Sequence, residues 1–482
     1  MYESRHISTI AWTDVGRDGV AVKQSGVSME RLPPGPTSAG AAQTLRWMFR
    51  PIELMERCRR RYGEVFSMQL GPSKVVMIAE PAAAKEALNG NPAIFRAGDT
   101  NGLFRPVVGS HSILLLDGDE HMRTRRILLP AFGAAHGQQF EEQVREITER
   151  RVSSWKPGQR LRLQDEMEAI SFESIMRVVF GGDRSGGHER LRELIPEMMD
   201  RCDSPFTLIP WFRRGAAGMT PYSRLMRVID KVDAVLYDTI ADRRADPMTQ
   251  LRDDALSLLL QATYEDGLPL SDREVRDQLL TMIMAGYETT TSALAWAMER
   301  LLRTPEVLEQ VRKDLEIGDE RYLDGVVKET LRIRPVVPVV ARRLTEQADV
   351  CGYIVPAGTI LMVSIYLAHN DPRTYPEPEE FRPERFLAGV PEGAAWIPFG
   401  GGVRRCLGAS FAQLEMRVVL REVLSAVRLR AGSPAGEDTK RKRFTFAPAD
   451  GAQAVVEDRV ARDAGLASRR FKTPVPRGPV RA

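Results

Sequence analysis

Apolar residues recur at helical spacing through most of residues 117–332, and that stretch predicts a mainly helical body. Gly181-Gly182 to Gly187, the segment 205–221, and Glu265-Asp266-Gly267-Leu268-Pro269 interrupt it. Ser271 followed by Glu274 has the form of a capping box, and the apolar pattern then runs without proline to Thr304. A helix of about 34 residues, roughly 50 Å at 1.5 Å per residue, is predicted there, long enough to cross a whole domain. Earlier, a basic helix is expected over 51–62, and alternation over 65–70 and 74–78 around Gly71-Pro72 predicts a hairpin. Strand-like residues return at 336–340, 350–354, 359–364, 444–446 and 454–457. The expected fold is mainly α with small peripheral β-sheets.

Composition narrows the class. The 482 residues carry 68 Lys and Arg against 65 Asp and Glu, a net charge of +3 with no long basic block before the C-terminus, so nucleic acid is not the implied partner. Cys58, Cys202, Cys351 and Cys406 lie far apart with no Cys-x-x-Cys pair, which argues against a disulfide framework or a zinc site and for a reducing, cytoplasmic setting. Charges among the first 30 residues leave neither a signal peptide nor a membrane span there. Residues 1–28 read as a disordered leader, with Met29 as a candidate natural start; 29–460 read as one large domain and 461–482 as a mobile basic tail.

One cysteine stands apart. Phe399-Gly-Gly-Gly-Val-Arg-Arg-Cys406-Leu-Gly408 places a thiol in a glycine-rich loop that leads into an apolar helical run over 407–424. Helix N-terminal amides with Arg404 and Arg405 are expected to lower the thiol pKa, and a thiolate is the form that binds metal. Gly408 lets the helix approach a flat cofactor closely, and a haem iron held by one thiolate is the implied chemistry. The segment fits Phe-x-x-Gly-x-Arg-x-Cys-x-Gly at Phe399, Gly402, Arg404, Cys406 and Gly408, and so resembles the ligand loop of the cytochrome P-450 superfamily.

The resemblance extends in order from about residue 32 to 459. Ala285-Gly286-Tyr287-Glu288-Thr289-Thr290, in the middle of the long helix, resembles the family's oxygen-binding segment, with a local kink expected at Gly286. It implies that Glu288 relays protons and that the Thr289 hydroxyl orders a proton donor near dioxygen. Glu329, Arg332 and Arg385 match a buried structural charge triad. His121 and Arg125, four apart on a helix that Asp117 is expected to cap, resemble a clamp for haem propionates. Arg342 and Arg404 match further clamp positions, with Arg343 competing for the first. Phe399, Gly400, Gly408 and Gly286 complete the implied cofactor contacts.

A soluble bacterial-type cytochrome P-450 is therefore implied. It would hold haem b (iron protoporphyrin IX) and insert one atom of dioxygen into a hydrophobic small molecule, with electrons from a separate ferredoxin or flavodoxin. Arg404, Arg405, Arg417 and Arg421 could form a docking face for that carrier, and are equally well surface arginines with no partner. Pocket walls are expected from 97–113, 194–220, 281–290 and 336–340 and the turn at Phe446, including Met198, Met199, Phe206, Leu208 and Trp211. The alternatives are a haem-thiolate enzyme that uses or isomerises peroxides, and a non-catalytic haem sensor.

Overall fold

The capping box forms as the sequence predicts: the Ser271 hydroxyl accepts the Glu274 N–H and the Glu274 carboxylate accepts the Ser271 N–H, opening a helix over Asp272–Arg303. This computed structural model describes residues 32–460 apart from 134–135, 183–185, 204–219 and 391–395. The leader 1–28, the tail 461–482, and Phe206, Leu208 and Trp211 lie outside the described residues.

Buried positions run along nearly the whole central helix, because other elements cover it on several sides: Leu163–Phe180, Pro221–Ala245, Arg321–Ile333, Ala409–Ala426 and the hairpin Thr439–Lys442/Thr445–Pro448. One core cluster joins these helices, from Val107 through Trp296 to Val456. Trp296 is buried at its centre, and its indole N–H donates to the Phe446 carbonyl at 3.0 Å, so its polar edge is satisfied.

The sheets lie at the periphery. The largest has five strands in the order Val65–Leu70, Ser73–Ile78, Ile360–Ser364, Val339–Leu344, Phe95–Arg96, antiparallel except where Ser73–Ile78 runs parallel to Ile360–Ser364. The expected 65–78 hairpin forms with its turn at Gly71-Pro72. The expected strand at 336–340 starts later, at Val339, because Pro335 and Pro338 lack the N–H that a ladder requires. No helix among the described residues is long and apolar enough to cross a membrane.

Candidate active site

The cysteine loop is pressed against the helix Pro81–Asn89. At Gly402, where φ is 61°, a Cβ would stand 2.1 Å from the Leu88 carbonyl oxygen, so the position admits only glycine. The Cys406 N–H donates to the Phe399 carbonyl at 3.0 Å, and the helix Ala409–Ala426 begins three residues later. Phe399 packs edge-on to Trp396, with ring centres 6.2 Å apart. Cys406 is open to water and yet recessed among protein atoms, as befits a thiol at the floor of a cleft. Space continues beside it: a Cβ on Gly400 would touch nothing within 4 Å, and one on Gly408 only Phe132 at 3.9 Å.

The expected lowering of the thiol pKa is corrected. Burial dominates and raises it, while the Gly408 N–H, Arg405 and Arg125 pull it down by less. Arg404 takes no part in this. It pairs with Asp117 and donates to the carbonyls of Ile113, at 3.0 Å, and Leu116. Asp117 makes no side-chain cap on the helix Gly118–Leu128, contrary to expectation; its carboxylate accepts the N–H groups of Ala97, Gly98 and Asp99 at 3.0–3.2 Å. It therefore fastens the 97–99 turn to the cysteine loop through Arg404.

Around that anchor, positive charge is in excess. Burial, Arg404 and Arg125 push the His121 pKa down to about 4, with Asp117 opposing and Arg342 adding. Burial and then Arg404 lower Arg342 to about 10. Arg342 and Arg343 are separated by strand alternation. Arg342 lies buried on the face toward Arg404 and Asp117, while Arg343 is half-exposed and donates to the Gly358 carbonyl at 3.0 Å. Only Arg342 shares the His121 cluster. Cations brought together at such cost, with one carboxylate among them, form a donor set that fits an anionic group such as a haem propionate.

Across the core, Ala285, Gly286 and Thr289 are the accessible positions of an otherwise buried stretch of the central helix, so they face an internal opening. The expected kink is absent, and the helix runs unbroken through them. Gly286 has a packing reason: a Cβ there would lie 2.6 Å from Ile175 of the neighbouring helix Leu163–Phe180. The Thr289 hydroxyl donates to the Ala285 carbonyl at 2.7 Å, which leaves its lone pairs to accept from a donor in the opening. Glu288 points elsewhere. One oxygen accepts the Phe444 N–H at 3.1 Å and the Thr445 hydroxyl at 3.2 Å; the other, buried, has no hydrogen-bond partner among the described residues. Burial raises its pKa to about 7, against the pull of Arg443 and those two bonds. Of the expected pocket walls, Phe104 meets Phe444 edge-on at 4.8 Å, whereas Met198 and Met199 are buried in the core.

The charge triad forms. Glu329 and Arg332, fully buried, share two bonds of 2.7 and 2.8 Å, and Arg385 approaches Glu329 at 3.5 Å without hydrogen-bond alignment. Arg332 also donates to the His369 and Pro378 carbonyls, each at 2.8 Å. His369, which the sequence did not single out, accepts the Ile397 N–H at 2.9 Å and so links the triad to the segment leading into the cysteine loop. The docking face largely dissolves. Arg417 pairs with Glu320, and buried Arg421 with Glu141, Glu320 and Glu422, leaving Arg405 as the exposed arginine beside Cys406.

A recessed thiol in a glycine loop, a cluster of cations suited to an anionic rim, and a helix that opens on a threonine are a set of groups that fits a haem held by a thiolate. The sequence profile of the cytochrome P-450 family matches residues 33–449, and the chain belongs to that family. It is 39% identical over 453 residues to cytochrome P-450 135B1 of Mycobacterium tuberculosis, covering 92% of this chain and 95% of that protein. It is 35% identical over 424 residues to cytochrome P-450 135A1 of the same species, covering 87% and 94%. Among solved structures, the retinoic-acid-bound cyanobacterial CYP120A1 superposes with a TM-score of 0.80 over 89% of this chain and all of that one, at 24% identity. The protein is thus an enzyme of the haem-binding, monooxygenase class.

Proposed function

We propose that this protein holds haem b through Cys406, with His121, Arg125, Arg342 and Arg404 at the propionates, and oxidises an apolar small molecule with one atom of dioxygen. The haem would supply reductive activation of dioxygen, favoured by electron density from the thiolate. The chain's own residues do the rest. Cys406 is fixed in direction by the Phe399–Cys406 bond and the glycine loop. Thr289 presents an acceptor oxygen to the opening, where it holds a proton donor in place. Glu288, one residue earlier and buried against the hairpin, exchanges protons near neutrality. Phe104 and Phe444 give the substrate an apolar contact, and retinoic acid, the ligand of the cyanobacterial relative, is of that chemical kind.

Electrons come from a separate ferredoxin or flavodoxin, a reading supported by the exposed charge of Arg405 beside Cys406. Four unpaired cysteines favour the cytoplasm. The observation that carries the reading is a buried carboxyl, bonded through one oxygen to the hairpin, next in the chain to a hydroxyl that faces the opening. A peroxide-using enzyme or a sensor has no need of it.

Thr289→Ala is the test. With a surrogate ferredoxin and reductase, haem content stays normal while the ratio of product to consumed NAD(P)H falls several-fold and hydrogen peroxide rises to match. An unchanged ratio removes Thr289 from proton delivery.

A further inference from the structure

Arg443 stands at the tip of the hairpin Thr439–Lys442/Thr445–Pro448 with a φ of 51°, a conformation in which glycine or asparagine is the usual occupant. A strained arginine persists only where its surroundings hold it, and here they do. Its main-chain N–H donates to Asp203 at 2.6 Å. Its guanidinium donates to Glu168 at 3.1 Å, pairs with Asp200, and lies 3.5 Å from the Tyr287 hydroxyl. The next two residues carry the bonds to Glu288, from the Phe444 N–H and the Thr445 hydroxyl, and the latter is shared with Ser292 at 2.9 Å. The arginine side chain is 4% exposed and that of Asp200 is 71% exposed, so the cluster runs from solvent to the buried carboxyl.

We infer that Arg443 is a positioning residue that joins Glu288 to the surface at Asp200 and sets the charge state in which Glu288 carries its proton. The inference rests on the reading of Glu288 as a proton carrier. Among the described residues, Lys442 and Arg443 of the hairpin act on that carboxyl, and Tyr287 on its own helix and Cys202 at the end of Gly186–Cys202 feel its charge, while Glu168 from the helix Leu163–Phe180, Asp200 and Asp203 face Arg443. Three of these are carboxylates. Without Arg443 the one cation among the described residues that still acts on Glu288 is Lys442, which is bonded to Glu168 at 2.7 Å, and Glu288 is driven toward its protonated form.

The experiment uses the full-length, haem-loaded protein. A pH titration of the carboxylic-acid band in infrared difference spectra, identified by its loss in Glu288→Gln, reports the Glu288 midpoint directly. In Arg443→Gly, which relieves the positive φ and preserves the turn, and in Arg443→Gln, the midpoint rises by about one pH unit or more, and Arg443→Lys restores part of it. The pH at which product per NAD(P)H is greatest moves the same way, while substrate KM holds. An unmoved midpoint in folded Arg443→Gly makes the cluster a structural clamp and overturns the inference, leaving the role of Glu288 intact. Undiminished coupling in Glu288→Gln overturns both.

Discussion

Cys406→His is expected to abolish the long-wavelength absorption band of the reduced carbonyl complex, because that band depends on the iron being held by a thiolate. No other cysteine can take over. Cys58 and Cys202 are buried in separate cores, and burial pushes the Cys202 pKa up to about 12; Cys351 lies on the turn of the hairpin Ala348–Val350/Tyr353–Val355. Cys406 alone is recessed in a glycine loop with a helix N–H and Arg125 and Arg405 acting on its sulfur. The haem that remains in the variant should show the shorter-wavelength carbonyl band of nitrogen ligation, and monooxygenase turnover should fall by orders of magnitude. Persistence of the long-wavelength band would remove Cys406 from the iron.

Glu329→Ala should have an equally large effect, on the fold rather than the spectrum. Glu329 and Arg332 have no exposed side-chain surface, and the carboxylate also accepts the Arg382 N–H at 3.0 Å. Its removal leaves Arg332 buried with carbonyls alone and Arg385 without its counter-charge, at a cost of about 3–5 kcal/mol. That is comparable with the whole stability of many domains, about 5–15 kcal/mol. Because His369 ties Arg332 to Ile397, the damage should reach the cysteine loop. Aggregated or haem-free protein is expected, measured by soluble yield and haem-to-protein ratio; a soluble, fully loaded variant would show that the pair is dispensable.

What could be read from the chain was set by local chemistry. The capping box at Ser271, the hairpin at Gly71-Pro72 and the cysteine loop each follow from a few adjacent residues whose backbone needs are met locally, and each appears in the structure. Which of Arg342 and Arg343 shares the buried cluster with His121 depends on the strand's register, which residue spacing in the sequence does not carry. Asp117 was misread because an aspartate before a helix accepts backbone N–H groups in any case; that it takes those of 97–99 depends on where a distant turn lies. Arg417 and Arg421 look like solvated helix residues in sequence, yet their carboxylate partners come from helices far along the chain. His369 and Arg443 carry no local signal, since their roles are made wholly by tertiary contacts.

The central claim is that electrons and dioxygen, not peroxide, drive this site. Turnover of an apolar substrate, chosen by its spectral shift on binding, under labelled dioxygen with a surrogate ferredoxin and NAD(P)H tests it most directly. One labelled oxygen atom per product, with product formation dependent on NAD(P)H, is the result predicted. Unlabelled product, or turnover supported by added peroxide and indifferent to the electron donor, would contradict it.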